Sequence, residues 1–112
     1  MVVCATIVDD NTVGGGFGKA QRVAIARPEA DGWQIDRVDV RWDIAHDQVA
    51  DGLHHANVAR FLREQGVDVV VTGHMGGGMV KMLDSMKIKV FSGEGPLGEV
   101  LDAAAAEAGK GL

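Results

Sequence analysis

Apolar residues fall along the chain in short blocks separated by glycine and polar turns, and the period within each block predicts its structure. Val2 to Val8 is an unbroken β-rich run closed by Asp9-Asp10-Asn11, the pattern of a strand covered on both faces and central in a sheet. Arg22 to Ala26 and Trp33 to Trp42 predict two more strands joined through Pro28-Glu29-Ala30-Asp31-Gly32. The broken alternation between Ile35 and Val38 predicts a bulge or a switch of face there. Asp43 to Asp51 is a polar connection. A helix capped by Asp51 then runs to Gln65 and stops at Gly66, with Val58, Ala59, Phe61 and Leu62 on its apolar side.

The second half repeats an α/β rhythm. Val67 to Thr72 predicts a buried strand, and Gly73 to Gly78 a turn into a helix ending near Met86, with Met79, Met82, Leu83 and Met86 facing inward. Ile88 to Phe91 predicts a third buried strand, and Pro96 opens a closing helix over Leu97 to Ala108. The order β-β-β-α-β-α-β-α defines one α/β domain over residues 1–112, a mixed five-stranded sheet with helices packed on it. Its open edges are places where a second copy could pair, as a homodimer.

Composition changes this picture at one point. Sixteen of 112 residues are glycine, about twice the roughly 7% expected, and eleven of them fall in the clusters 14–18, 73–78 and 93–98. If the first strand is parallel to the later ones, all three clusters meet beyond the carboxyl ends of the strands, where such sheets bind ligands. Eleven Lys and Arg against sixteen Asp and Glu give a net charge of -5 with no basic run, which disfavours nucleic acid. No apolar stretch reaches the roughly 20 residues of a membrane span. The expected protein is soluble and cytoplasmic. The lone Cys4 can neither form an internal disulfide nor build a cysteine-ligated cluster site.

Any metal site must therefore rely on histidine, carboxylate, backbone or a ligand that brings its own sulfur, and three histidines converge on that edge. His54 and His55 lie in the first turn of the predicted helix 51–65 and lean toward its apolar side; His74 follows the strand 67–72 across the cleft. His46 is a fourth candidate in the approach loop. The glycine turns also suit an anion, because consecutive N–H groups at a helix start can cradle one. Gly73 to Lys81 lacks the Lys-Ser/Thr pair of a Walker A loop, and no nucleophile elbow or catalytic triad order occurs.

The run Val67-Asp68-Val69-Val70-Val71-Thr72-Gly73-His74-Met75-Gly76-Gly77-Gly78-Met79, followed by Met86-Lys87-Ile88-Lys89-Val90-Phe91, resembles the dinitrogenase iron-molybdenum cofactor biosynthesis family. Asp9-Asp10, Phe17-Gly18 and His54-His55 before Ala59-Arg60-Phe61-Leu62 extend the resemblance over nearly the whole chain. It implies a ribonuclease-H-like fold and a non-enzymatic binding or carrier role for an iron-sulfur or iron-molybdenum cofactor precursor, exchanged with cofactor-assembly or acceptor proteins. A preassembled cluster brings its own sulfide, so few protein ligands suffice. His74 is the first-choice ligand and His54 and His55 the second, with Gly73, Gly76, Gly77, Phe17 and Gly18 as further contacts. The turn departs from the commonest family pattern at His74 and Gly77. A nucleotide or small-anion binding module, or a purely structural or protein-interaction domain, is the alternative.

Overall fold

The first strand organises the sheet. In β1 (Val3–Asp9), Val3, Ala5 and Ile7 alternate with Cys4 and Thr6, and both sets are buried, so apolar layers must cover both faces. The computed structural model describes residues 1–110, apart from the side chains of His46, Asp51 and Lys110. β1 pairs antiparallel with β3 (Arg22–Glu29), which pairs with β4 (Gly32–Asp39) through the two-residue turn Ala30-Asp31. On its other side, the first half of β1 pairs parallel with β5 (Val69–Thr72), and β5 pairs parallel with β6 (Lys89–Ser92). The second half pairs with the two-residue strand β2 (Thr12–Val13), which carries β7 (Gly95–Pro96).

Two helical layers cover the sheet. Cys4, Val23, Ile25 and Val70 meet residues of α1 (Trp42–Gln48), α2 (Asp51–Gln65) and α3 (Gly77–Ser85) in one core cluster. Val3, Ala5, Ala24, Val69 and Val71 pack against α4 (Leu97–Lys110) in the other. The β3–β4 register is unbroken from Arg22↔Asp39 to Glu29↔Gly32, so the irregular period in β4 marks a switch of face and not a bulge. Trp33 and Ile35 pack toward α4, and Val38 packs toward the opposite cluster.

The segment expected as strand to Trp42 and then loop is different. β4 stops at Asp39, Arg41 takes a left-handed backbone (φ 50°), and Trp42 starts α1. One aromatic anchor accounts for this. Trp42 is buried, edge-on to Phe17 at 5.1 Å and to Phe61 at 5.7 Å between ring centroids. Ala50, not Asp51, occupies the N-cap position of α2, whereas Gly66 ends that helix at φ 69° as expected. Pro96 pairs with Thr12 ahead of α4. No helix among the described residues is long and apolar enough to cross a membrane.

Candidate functional site

Two glycine loops are zipped together at the carboxyl end of β1 and β5. Gly16 and His74 form a parallel bridge, in which the Phe17 N–H donates to the His74 carbonyl (2.9 Å) and the His74 N–H donates to the Gly15 carbonyl (3.1 Å). The buried Thr72 hydroxyl lies 3.0 Å from that of Thr6 and 3.2 Å from the Gly15 and His74 carbonyls. Gly73 is dictated by this closeness: a Cβ there would stand 3.0 Å from the Gly15 backbone N and O and 2.7 Å from Glu94 Oε1. All three glycine clusters thus meet at Gly73, as the sequence predicts. They do not all serve one hollow.

On the α2–α3 side the zipped loops form one wall of a cavity of about 260 Å³ lined by Gly16 to Lys19, His54, His55, His74, Met75, Gly76, Gly78 and Met79. The 3-10 turn Phe17–Lys19 continues the first loop along the lip of this cavity. His54 is buried, and its Nε2 lies 2.8 Å from the Gly18 carbonyl. Because a carbonyl only accepts, Nε2 carries the proton and the ring ties α2 to that lip. His55, one residue on, is partly exposed at 6.2 Å between ring centroids, and His74 is exposed. A Cβ on Gly78 would touch His55 Cε1 at 3.4 Å, and one on Gly18 would touch Met79 Cε at 3.4 Å. Gly76 is the N-cap of α3 with no side-chain cap, so the first helical N–H groups are served by no capping side chain.

The predicted site residues therefore divide. His55, His74, Gly76 and Gly18 line the cavity with exposed or half-exposed atoms. Phe17 lines it too, but its ring is fully buried beneath, against Trp42. Gly73 and Gly77 are not in the lining; Gly73 instead allows the loops to close. Asp9 and Asp10 belong to a turn: Asp9 accepts from the Asn11 N–H (2.8 Å), which holds its carboxyl below the usual range, and Asp10 pairs with Arg22 at 2.6 Å. The side chain of His46 lies outside the described residues. Cys4 is buried, and burial pushes its thiol up to about 12.

Lys19 is the residue missed from sequence. Among the described residues it lines the cavity as its one cationic residue, and the signal was available as a basic residue closing the glycine cluster 14–18. Among the described residues, no three His, Cys, Asp or Glu side chains are grouped to hold a metal ion. The donor set suits a ligand that arrives with most of its coordination complete: imidazoles, thioethers, an ammonium and backbone N–H groups.

Fold and cavity together define a small α/β domain with a hollow at the strand ends lined by histidine, lysine, methionine and glycine. A family model described as dinitrogenase iron-molybdenum cofactor matches residues 1–107, and the chain belongs to that family. The crystal structure of PH0822 has the same fold, with a TM-score of 0.70 and 20% sequence identity over 92% of this chain and 88% of that one. No curated protein matches the chain.

Proposed function

We propose that the protein is a non-enzymatic carrier for a preassembled iron-sulfur or iron-molybdenum cofactor precursor, held in the 260 Å³ cavity between the glycine loops. One observation carries this reading: His55, His74 and the start of α3 line a single cavity, while the described residues offer no three-ligand group for a bare ion. His74 and His55 supply imidazole nitrogen to the cluster. Lys19 and the N–H groups after Gly76 compensate its negative charge. His54 serves this site by fixing the Gly18 lip. The family supports cofactor assembly as the setting, with acceptor proteins and a cytoplasmic location following from that role. The strand order β4-β3-β1-β5-β6 supports the ribonuclease-H-like assignment.

Anaerobic incubation with a cluster precursor should give charge-transfer absorption that survives desalting. The double variant His55→Ala with His74→Ala should bind at least about tenfold more weakly, about 1.4 kcal/mol. Equal binding by a folded double variant would remove both ligands from the account. A second reading, a site for phosphate or a mononucleotide, is favoured by Lys19 and the uncapped α3. Thermal stabilisation by those anions and not by the cluster precursor would select it.

A further inference from the structure

The two edges of the sheet are unequal. At β4 the exposed Asp36 and Asp39 are tied to Arg27 (3.6 Å) and Arg22 (3.3 Å), and the exposed Gln34 and Arg37 lie on the same strand, Arg37 reaching the Asp10 carbonyl (2.7 Å). Charged edges of this kind resist pairing with another strand. β6 carries one charge, Lys89 at its start, and none along the rest of the strand. Between Lys89 and Glu94 its sequence is Val90-Phe91-Ser92-Gly93, with no charge. Hollows of about 490 Å³ and about 550 Å³ flank the strand on its two faces, toward α4 and α3, and Phe91 lines both.

The hydrogen bonds of β6 say which backbone groups face outward. The Lys89 N–H donates to the Asp68 carbonyl (3.1 Å) and the Gly93 N–H to the Thr72 carbonyl (3.0 Å). Phe91 lies between them in the same alternation, so Lys89, Phe91 and Gly93 address β5 while Val90 and Ser92 turn their N–H and C=O to the open edge. The strand ends one step earlier, because the Ile88 N–H is used by the Leu83 carbonyl. Each chain therefore presents four edge groups, two donors and two acceptors.

We infer that β6 is a homodimer edge that pairs antiparallel with β6 of a second copy about a two-fold axis at Phe91. A two-fold normal to the sheet keeps each face continuous, so facing residues must have the same parity. Of those registers, the one centred on Phe91 places Val90 opposite Ser92 of the second copy. It satisfies all eight edge groups in four hydrogen bonds. A register centred on Val90 would instead set Ser92 against Ile88, whose N–H is already committed. Charge favours the same orientation. Lys87 precedes the strand centre and Glu94 follows it, so antiparallel pairing sets unlike charges at each end of the seam, whereas parallel pairing would align like with like; Lys89 is held by the Ala108 carbonyl (3.3 Å) and does not enter this count. Phe91 then meets its own counterpart across the axis at a non-hydrogen-bonded position, the closest cross-strand spacing. The cavity with His55 and His74 lies beyond the strand ends and stays open in this dimer.

Light scattering on the eluting protein should give a mass about twice 11.8 kDa. Ser92→Pro removes one outward N–H and no bond to β5, so it should be monomeric with unchanged far-ultraviolet circular dichroism. Phe91→Cys should oxidise to a covalent dimer, because facing Cα atoms at a non-hydrogen-bonded pair fall within disulfide reach. Ser92→Cys, two residues off its counterpart, should not; Cys4 is buried and gives no background. A wild type that stays monomeric up to about 1 mM overturns the inference. So does a folded Ser92→Pro that remains dimeric, or a Phe91→Cys that fails to cross-link in a dimeric preparation.

Discussion

Two hollows, one on each face of the sheet beside the end of β5, have opposite chemistry. On the α2–α3 face, the turn after β5 supplies His74 and Gly76, and α2 and the first glycine loop add His55 and Lys19. On the α4 face, Val71 of β5 leads into a groove lined by Glu94, Glu99 and Glu107. One hollow offers nitrogen donors and a cation, and the other offers carboxylates. On the proposed function, an anionic cluster would be accepted by the first and repelled by the second. The sheet between them sorts charge, and the lesson is that a net charge of -5 says little about a local site.

The largest effect should come from the floor of the histidine cavity. Phe17→Ala, which empties a fully buried aromatic site against Trp42, should lower stability by about 3–5 kcal/mol in urea denaturation. A loss below about 1 kcal/mol would mean the ring is a ligand contact and not core. Next, the adjacent histidines should separate. His54→Ala leaves the Gly18 carbonyl without its ring donor and should cost about 2 kcal/mol, while His55→Ala should change stability by less than about 0.5 kcal/mol. Similar losses at both positions would erase the distinction between support and ligand.

Cys4 tests whether sulfur from the protein takes part. Its folded-state thiol is raised from 9.0 to about 12 by burial, so its stabilising contribution is complete below pH 9 and is lost as pH rises toward 12. Stability at pH 10 should be about 1 kcal/mol below that at pH 8 from this group alone, and Cys4→Ala should remove that increment. A thiol that reacts freely with a disulfide reagent in the native protein would contradict the burial. The smallest effect sharpens the charge contrast. Lys19→Glu should weaken cluster binding a few-fold, less at high salt, and Glu99→Lys in the opposite groove should leave it unchanged. Equal effects would show that only net charge matters.

Much of this was legible in the chain because it rests on local rules. The unbroken run 2–8 announced a doubly covered central strand, Gly66 announced a left-handed helix end, and the glycine clusters announced loops in close approach. What the chain did not disclose depends on single long-range contacts. Trp-Asp-Ile-Ala-His-Asp-Gln has no helical apolar stripe, and α1 forms because Trp42 alone finds Phe17 and Phe61. The separate fates of His54 and His55 were equally hidden: both lean inward on the wheel, and only the position of the Gly18 carbonyl decides which is locked. The third glycine cluster reached the expected edge but opens to the α4 face, because β7 carries it past β2 to the start of α4.

Two-dimensional amide NMR during anaerobic addition of a cluster precursor tests the central claim most directly. The account predicts shifts or broadening at Gly18, Lys19, His55, His74, Gly76 and Gly78, with Glu99, Val100 and Ala103 unmoved. Perturbation confined to the α4 groove, or none anywhere at saturating precursor, would contradict it.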